Sequence, residues 1–348
     1  MVGVRPLWDD DTPAEGQVTN RATHAAPTLL ALVRAQDAVA RLEATLDAAS
    51  ADVAHGLRAR TALHEAAGFL AHRRMSVHPH DLALREAGLT GSYTTALLTG
   101  RIAQALPAGN AALPEGWRPD DWLVDRALAY ARLWRRLAER ATWQPLREPD
   151  AMAALLTALG ERQGDGVALA SWLGGLRQTA GQTALHAAAD VATRGLPGMD
   201  GPDDERPGLA GSFVAACVWR HRGYGRPVSL PFWSAPLARI ETLTRGGDGD
   251  GDGAYLDCVA EASLRARRDL GRLQAAERRA AGLAVTARSH LKAAAGFALR
   301  HPVVTASQLA AGIGVSGRAG LDLIGRLLAE GLLREVTGRA AWRAFTIA

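Results

Sequence analysis

Residues 301–316 read HPVVTASQLAAGIGVS, residues 317–331 read GRAGLDLIGRLLAEG, and residues 332–348 read LLREVTGRAAWRAFTIA. His301-Pro302 stops a preceding helix, because proline lacks the ladder N–H and disfavours helical backbone in the residue before it. Thr305 then offers an N-cap hydroxyl to a short helix over 306–311, with Leu309 and Ala310 turned inward. Gly312-Ile313-Gly314-Val315 is a tight apolar turn, and Ser316 is placed to cap a second helix running through Leu328. In that helix Gly320, Leu323, Ile324, Leu327 and Leu328 recur at helical spacing and define one buried stripe. Glu330-Gly331 ends it, the glycine supplying a left-handed C-cap. Stretches 332–336 and 341–347 read as strands joined by a turn at Thr337-Gly338-Arg339. Helix, turn, helix and β-hairpin are the parts of a winged helix-turn-helix, whose second helix enters the major groove of DNA.

Charge points the same way. From Val285 onward the chain carries Arg288, Lys292, Arg300, Arg318, Arg326, Arg334, Arg339 and Arg343 against Asp322, Glu330 and Glu335. That local surplus of five positive charges exceeds the +4 of the whole chain, so the basic character sits where a phosphate backbone would be met. Ser316 and Arg318 are expected to approach the groove, with Arg326, Arg334, Arg339 and Arg343 holding phosphates. Gly317, Leu321 and Asp322 on the same exposed face are poor base readers and favour a rival reading, a winged helix that packs against a partner protein. Double-stranded DNA is the expected partner. Modules of this kind read paired half-sites, so a homodimer is the expected assembly.

At 348 residues the chain has room for two or three cores, and 48% apolar with 22% charged residues is ordinary for a soluble globular protein. Strand formers are scarce outside the C-terminus, which makes the class mostly α. Lys292 is the only lysine. Arginine in place of lysine suits phosphate recognition, but a biased codon pool accounts for it as well. Two cysteines, Cys217 and Cys258, are too few for a disulfide framework or a zinc site. No signal pattern opens the chain and no run approaches the ~20 apolar residues of a membrane span, so a cytoplasmic protein without a membrane partner is expected.

The pattern divides the chain into a flexible arm over 1–26, an N-terminal helical segment over 27–106 and a helical core over 107–245. A Gly/Asp linker at 246–254, a connecting helix at 255–284 and the winged helix-turn-helix at 285–348 complete it. Pro27 is read as opening the first long helix, and 92–106 as a short helix before a turn-rich connector. Asp248, Asp250, Asp252 and Gly253 fit the first positions of a calcium-binding EF-hand loop, but Val259 stands where the bidentate glutamate is required, so a linker is the better reading. Arg265, Arg267, Arg268, Arg272, Arg278 and Arg279 form the solvated face of the connecting helix, with a secondary DNA-backbone contact as a further role.

The order of these parts resembles that of Fic-type proteins with an N-terminal helical segment and a C-terminal winged helix. The matching stretches are 60–88, 208–231, 255–262 and 301–345, the last most closely. The chain is more similar still to an uncharacterised bacterial family that joins a Fic-like body to a terminal helix-turn-helix. The resemblance implies a mostly α fold, a Fic-like helical body with a C-terminal winged helix-turn-helix domain. Fic enzymes transfer a nucleotide monophosphate to a hydroxyl through the signature H-P-F-x-[DE]-G-N-G-R-x-x-R. Its histidine is the general base, and its glycine-rich turn and arginines hold phosphates. Placed by the helix that follows, the histidine position falls on Gly201 and the proline on Pro202. The asparagine falls on Pro207, the second glycine on Gly208, and the arginines on Leu209 and Ser212. No histidine lies between His186 and His221. The inhibitory glutamate of that family falls on Arg73.

A Fic-like scaffold without Fic chemistry is therefore expected, with no catalytic residue and no cofactor. A nucleotidyl transferase with a rebuilt site is the alternative. His72, His78 and His80 read as surface or capping histidines, since no acid or cysteine pattern completes a metal site. Neither Gly-x-Ser-x-Gly nor a P-loop is present.

Overall fold

In the computed structural model the chain is mostly helical. The structure describes residues 15–88, 119–140, 143–159, 166–178, 183–194, 208–222, 229–245, 251–283, 289–337 and 343–348. The body comprises α1 (Glu15–Asp47), α2 (Ala51–His72), α3 (Pro79–Glu86), α4 (Pro119–Glu139), α5 (Pro149–Ala158), α6 (Gly166–Gln178), α7 (Ala184–Arg194), α8 (Leu209–His221), α9 (Leu237–Arg245) and α10 (Gly251–Ala281). The C-terminal unit follows as α11 (Leu291–Arg300), β1 (Val304–Thr305), α12 (Ala306–Ile313), α13 (Gly317–Ala329), β2 (Leu333–Glu335) and β3 (Ala344–Ile347).

Three boundaries differ from the sequence reading. The helix expected to open at Pro27 already runs from Glu15, so the arm expected over 1–26 is helical from that point. Proline deletes one ladder bond without forbidding helical φ, and the helix continues through it. The linker expected over 246–254 is helical from Gly251. Asp252 lies in the first turn of α10, where an acid suits the helix dipole, and accepts from the Thr193 hydroxyl at 2.7 Å. With Gly253 onward helical, an EF-hand loop does not form there, and among the described residues no group of three or more His, Cys, Asp or Glu is placed to hold a metal. The helix expected merely to connect, 255–284, is the spine of the body: Tyr255, Leu256, Cys258, Val259, Leu270 and Leu273 are buried along it. Its arginines Arg265, Arg267, Arg268, Arg272, Arg278 and Arg279 are exposed, as read. The helix read at 92–106 and the connector after it lie outside the described residues.

Helix α2 organises the packing. Ser50 caps it by accepting from the Val53 N–H at 3.3 Å. Two turns further on, Glu65 is fully buried. Its carboxylate accepts from three successive backbone N–H groups, Phe232 at 2.9 Å, Trp233 at 2.8 Å and Ser234 at 2.9 Å. That contact lets the non-helical stretch 229–235 pass through the core without orphaned donors. Burial pushes the Glu65 carboxyl up, and the three donors pull against it. Around this point Phe232 stacks on Tyr255 at 4.7 Å and meets Trp233 edge-on at 4.9 Å, while the Trp134 indole donates to the Leu230 carbonyl at 3.1 Å. Gly68 is required here, since a Cβ on it would stand 1.8 Å from the Trp233 carbonyl oxygen. Among the described residues no helix is long and apolar enough to cross a membrane.

Candidate nucleic-acid interface

The C-terminal unit is built by local chemistry. Thr305 ends β1 and begins α12 through a capping box: its hydroxyl accepts from the Gln308 N–H at 3.2 Å, and the Gln308 side chain accepts from the Thr305 N–H at 3.0 Å. Gly314 ends α12 with φ +72°, and the Val315 N–H reaches back to Ala310 at 2.9 Å. Ser316 then caps α13, accepting from the Ala319 N–H at 3.2 Å. The two helices cross at Gly320, where a Cβ would lie 2.6 Å from the Ala306 carbonyl oxygen and 2.9 Å from the Ala310 Cβ. Gly320, Leu323, Ile324 and Leu327 are buried as read, with Leu328 half-buried. Gly331, at φ +63°, turns the chain into the hairpin. β3 is the central strand between β1 and β2, antiparallel to both, pairing Phe345 with Val304 and with Glu335. The early strand β1 is absent from the sequence reading, which took Thr305 only as a cap.

The outward face of α13 carries Gly317, Arg318, Leu321, Asp322, Gly325 and Arg326, all exposed. Leu321 is 59% exposed, one of few large apolar side chains left in water. The Arg318 guanidinium lies 3.6 Å from the Asp322 carboxylate one turn away, a loose pair between two solvated groups that contributes little. Arg326 is exposed and forms no ion pair among the described residues. The Ser316 hydroxyl is engaged as the helix cap, which leaves only its proton free to donate.

The remaining sequence-predicted residues lie on the hairpin. Arg334 projects from the exposed face of β2. Burial, the His78 imidazole and then the Arg334 charge hold the His80 imidazole down to about 4, so β2 lies beside α3 of the body. Arg343 is bound to Glu335 through two N–H groups, one at 2.8 Å, and lies over the Phe345 ring at 5.3 Å. This contact raises the Arg343 pKa. Arg339, at the hairpin tip, lies outside the described residues. Ser316, Arg318 and Arg326 thus share one helix, whereas Arg334 and Arg343 belong to a separate surface and one of them is already neutralised.

Sequence reasoning missed what fixes this unit to the body. Arg60 of α2 donates to the carbonyls of Leu299 at 2.8 Å, His301 at 2.8 Å and Ala298 at 3.3 Å, capping the C-terminus of α11. Gly56 lets α2 approach, since a Cβ there would stand 2.0 Å from the Leu299 carbonyl oxygen. From α10, Arg279 donates to the carbonyls of Gly331 at 3.3 Å and Ala348 at 3.2 Å. A one-letter sequence gives no signal for such contacts, because an arginine that caps a remote helix and one in solvent look alike.

Two short helices packed at a glycine and followed by a β-hairpin define a helix-turn-helix unit. Residues 280–348 match a family described as an HTH DNA-binding domain. No curated protein matches the chain. The match does not extend into the helical body. There, Leu209 and Ser212, the positions where the Fic signature would set arginines, are 1% and 2% exposed. The Ser212 hydroxyl donates to the Gly208 carbonyl at 2.9 Å, and neither side chain reaches the surface.

Proposed function

We propose that this protein is a DNA-binding transcriptional regulator whose α13 enters the major groove as the second helix of a winged helix-turn-helix. Ser316 and Arg318 approach base edges near the helix N-terminus, Leu321 packs against thymine methyls, and Arg326 holds a phosphate. The hairpin is the wing, with Arg334, Arg339 and Arg343 on the backbone. The helical body is a Fic-like scaffold without catalytic groups, which sets the angle at which the domain is presented. The observation that carries this reading is the exposed face of α13: Arg318, Leu321 and Arg326 stand in water on a helix that Gly320 presses against α12.

The test is selection of duplexes from a random pool with the full chain. A recovered motif that relaxes at one base position when Arg318 becomes alanine supports base contact by α13. Leu321 beside Asp322 favours a second reading, in which α13 docks on a protein. On that reading Arg318→Ala leaves any residual DNA affinity unchanged and no motif is recovered.

A further inference from the structure

We propose that the outward face of α1 is a homodimer interface, along which two copies pair antiparallel about a two-fold axis near Ala40. Leu29, Leu30 and Val33 are 61%, 57% and 55% exposed and form one apolar patch. The opposite face of α1 is sealed: Ala31, Ala35, Ala38, Val39, Leu42 and Leu46 are buried, and Arg34 pairs with Asp257 of α10 at 2.8 Å along the seam. The patch is therefore no edge of the core, and contiguous apolar surface of this kind marks association.

The rest of the same face supplies its complement. Asp37, Ala40, Arg41, Ala44 and Ala48 are all exposed along it. Large apolar groups stand at one end, alanines at the other, and an acid and a base in the middle. A two-fold contact has to be complementary to itself. Antiparallel pairing centred near Ala40 meets that demand. It seats Val33 on the second copy's Ala44 and Leu30 on the second copy's Ala48, and it sets Asp37 beside the second copy's Arg41, so that their intrachain pair at 2.8 Å becomes a four-charge network. The paired stretch is about 30 Å long at ~1.5 Å per residue. Large-into-small packing between facing helices is the geometry of helical dimers. A second copy is thus the occupant that this face fits, whatever α13 binds.

Sedimentation velocity of the full chain at micromolar concentration tests it. The expected result is a dimer that Leu30→Glu with Val33→Glu converts to monomer, with circular dichroism and melting temperature unchanged, because both side chains are exposed. Leu30→Cys with Ala48→Cys should give a disulfide-linked dimer on oxidation, the native Cys217 and Cys258 being buried. A monomeric wild type overturns the proposal, as does a dimer that survives both glutamates. Loss of the dimer to the glutamates without cross-linking of the cysteine pair overturns the antiparallel register.

Discussion

The Arg60 guanidinium donates to the Leu299 carbonyl at 2.8 Å, joining two helices that are 239 residues apart in the chain. Burial lowers the Arg60 pKa to about 10, so it stays cationic at neutral pH and faces the negative end of α11. Arg60→Ala leaves the carbonyls of Ala298, Leu299 and His301 without this donor. It should cost about 3 kcal/mol in urea unfolding and speed amide exchange in α11. Arg60→Lys should recover less than half, because one ammonium cannot reproduce a planar fork.

Gly320 has the matching role between α12 and α13. Its missing Cβ is the space that the Ala306 carbonyl and Ala310 occupy. Gly320→Val should destabilise the domain by about 1–3 kcal/mol, read from thermal unfolding, and weaken DNA binding by displacing α13. Gly325→Ala, where a Cβ meets nothing, should leave stability within about 0.5 kcal/mol of wild type or raise it.

Two acids temper the proposed DNA face. Asp322 stands beside Arg318, and Glu335 binds Arg343. Asp322→Asn and Glu335→Gln should each tighten binding to duplex DNA by about two- to five-fold at low salt, since each frees a cation and removes a charge that repels phosphate. Fluorescence anisotropy reads both. Weaker binding by Glu335→Gln would mean that the pair orders the hairpin and that Arg343 does not work as a free phosphate ligand.

His64 gives a pH dependence with a definite sign. Arg265 can only donate, and it lies 3.2 Å from His64 Nδ1, which must therefore accept and leaves the ring neutral, with Nε2 toward Asp269 at 3.5 Å. Burial and then the Arg265 charge hold the imidazole down to about 3. The unfolded chain takes up its proton near pH 6.5 while the folded chain does not. Stability should therefore fall as pH drops below about 6.5, by roughly 1 kcal/mol per pH unit from this residue, and flatten near pH 3. Melting temperatures from pH 8 to 5 check it, and His64→Gln should reduce the slope.

How much was legible in the sequence follows from where each constraint lies. The C-terminal unit was readable because its signals are local: the Thr305 and Ser316 caps, the left-handed Gly314 and Gly331, and the stripe through Leu323 and Leu327 each act within one turn. The body was readable only as helices. Ser50 looked like the end of α1 and proved to be the cap of α2. Asp252 looked like part of a linker because glycine and aspartate dominate there, yet contact with Thr193 makes it the first turn of α10. Arg60, Glu65 and Gly56 act on partners far away in the chain, and nothing in their neighbourhood separates them from ordinary helix residues. For the site, Arg318 and Arg326 fell on one exposed face as read. The neutralisation of Arg343 by Glu335 depends on strand register, which single-sequence periodicity does not fix.

The most direct test of the central claim is the affinity of the full chain for duplex DNA across a salt series, with Arg318→Ala plus Arg326→Ala beside the wild type. The account predicts affinity that falls steeply with salt, and a double variant whose slope is shallower by about 2, one for each lost phosphate contact. Absence of binding at low salt, or a double variant with the wild-type slope, would contradict it.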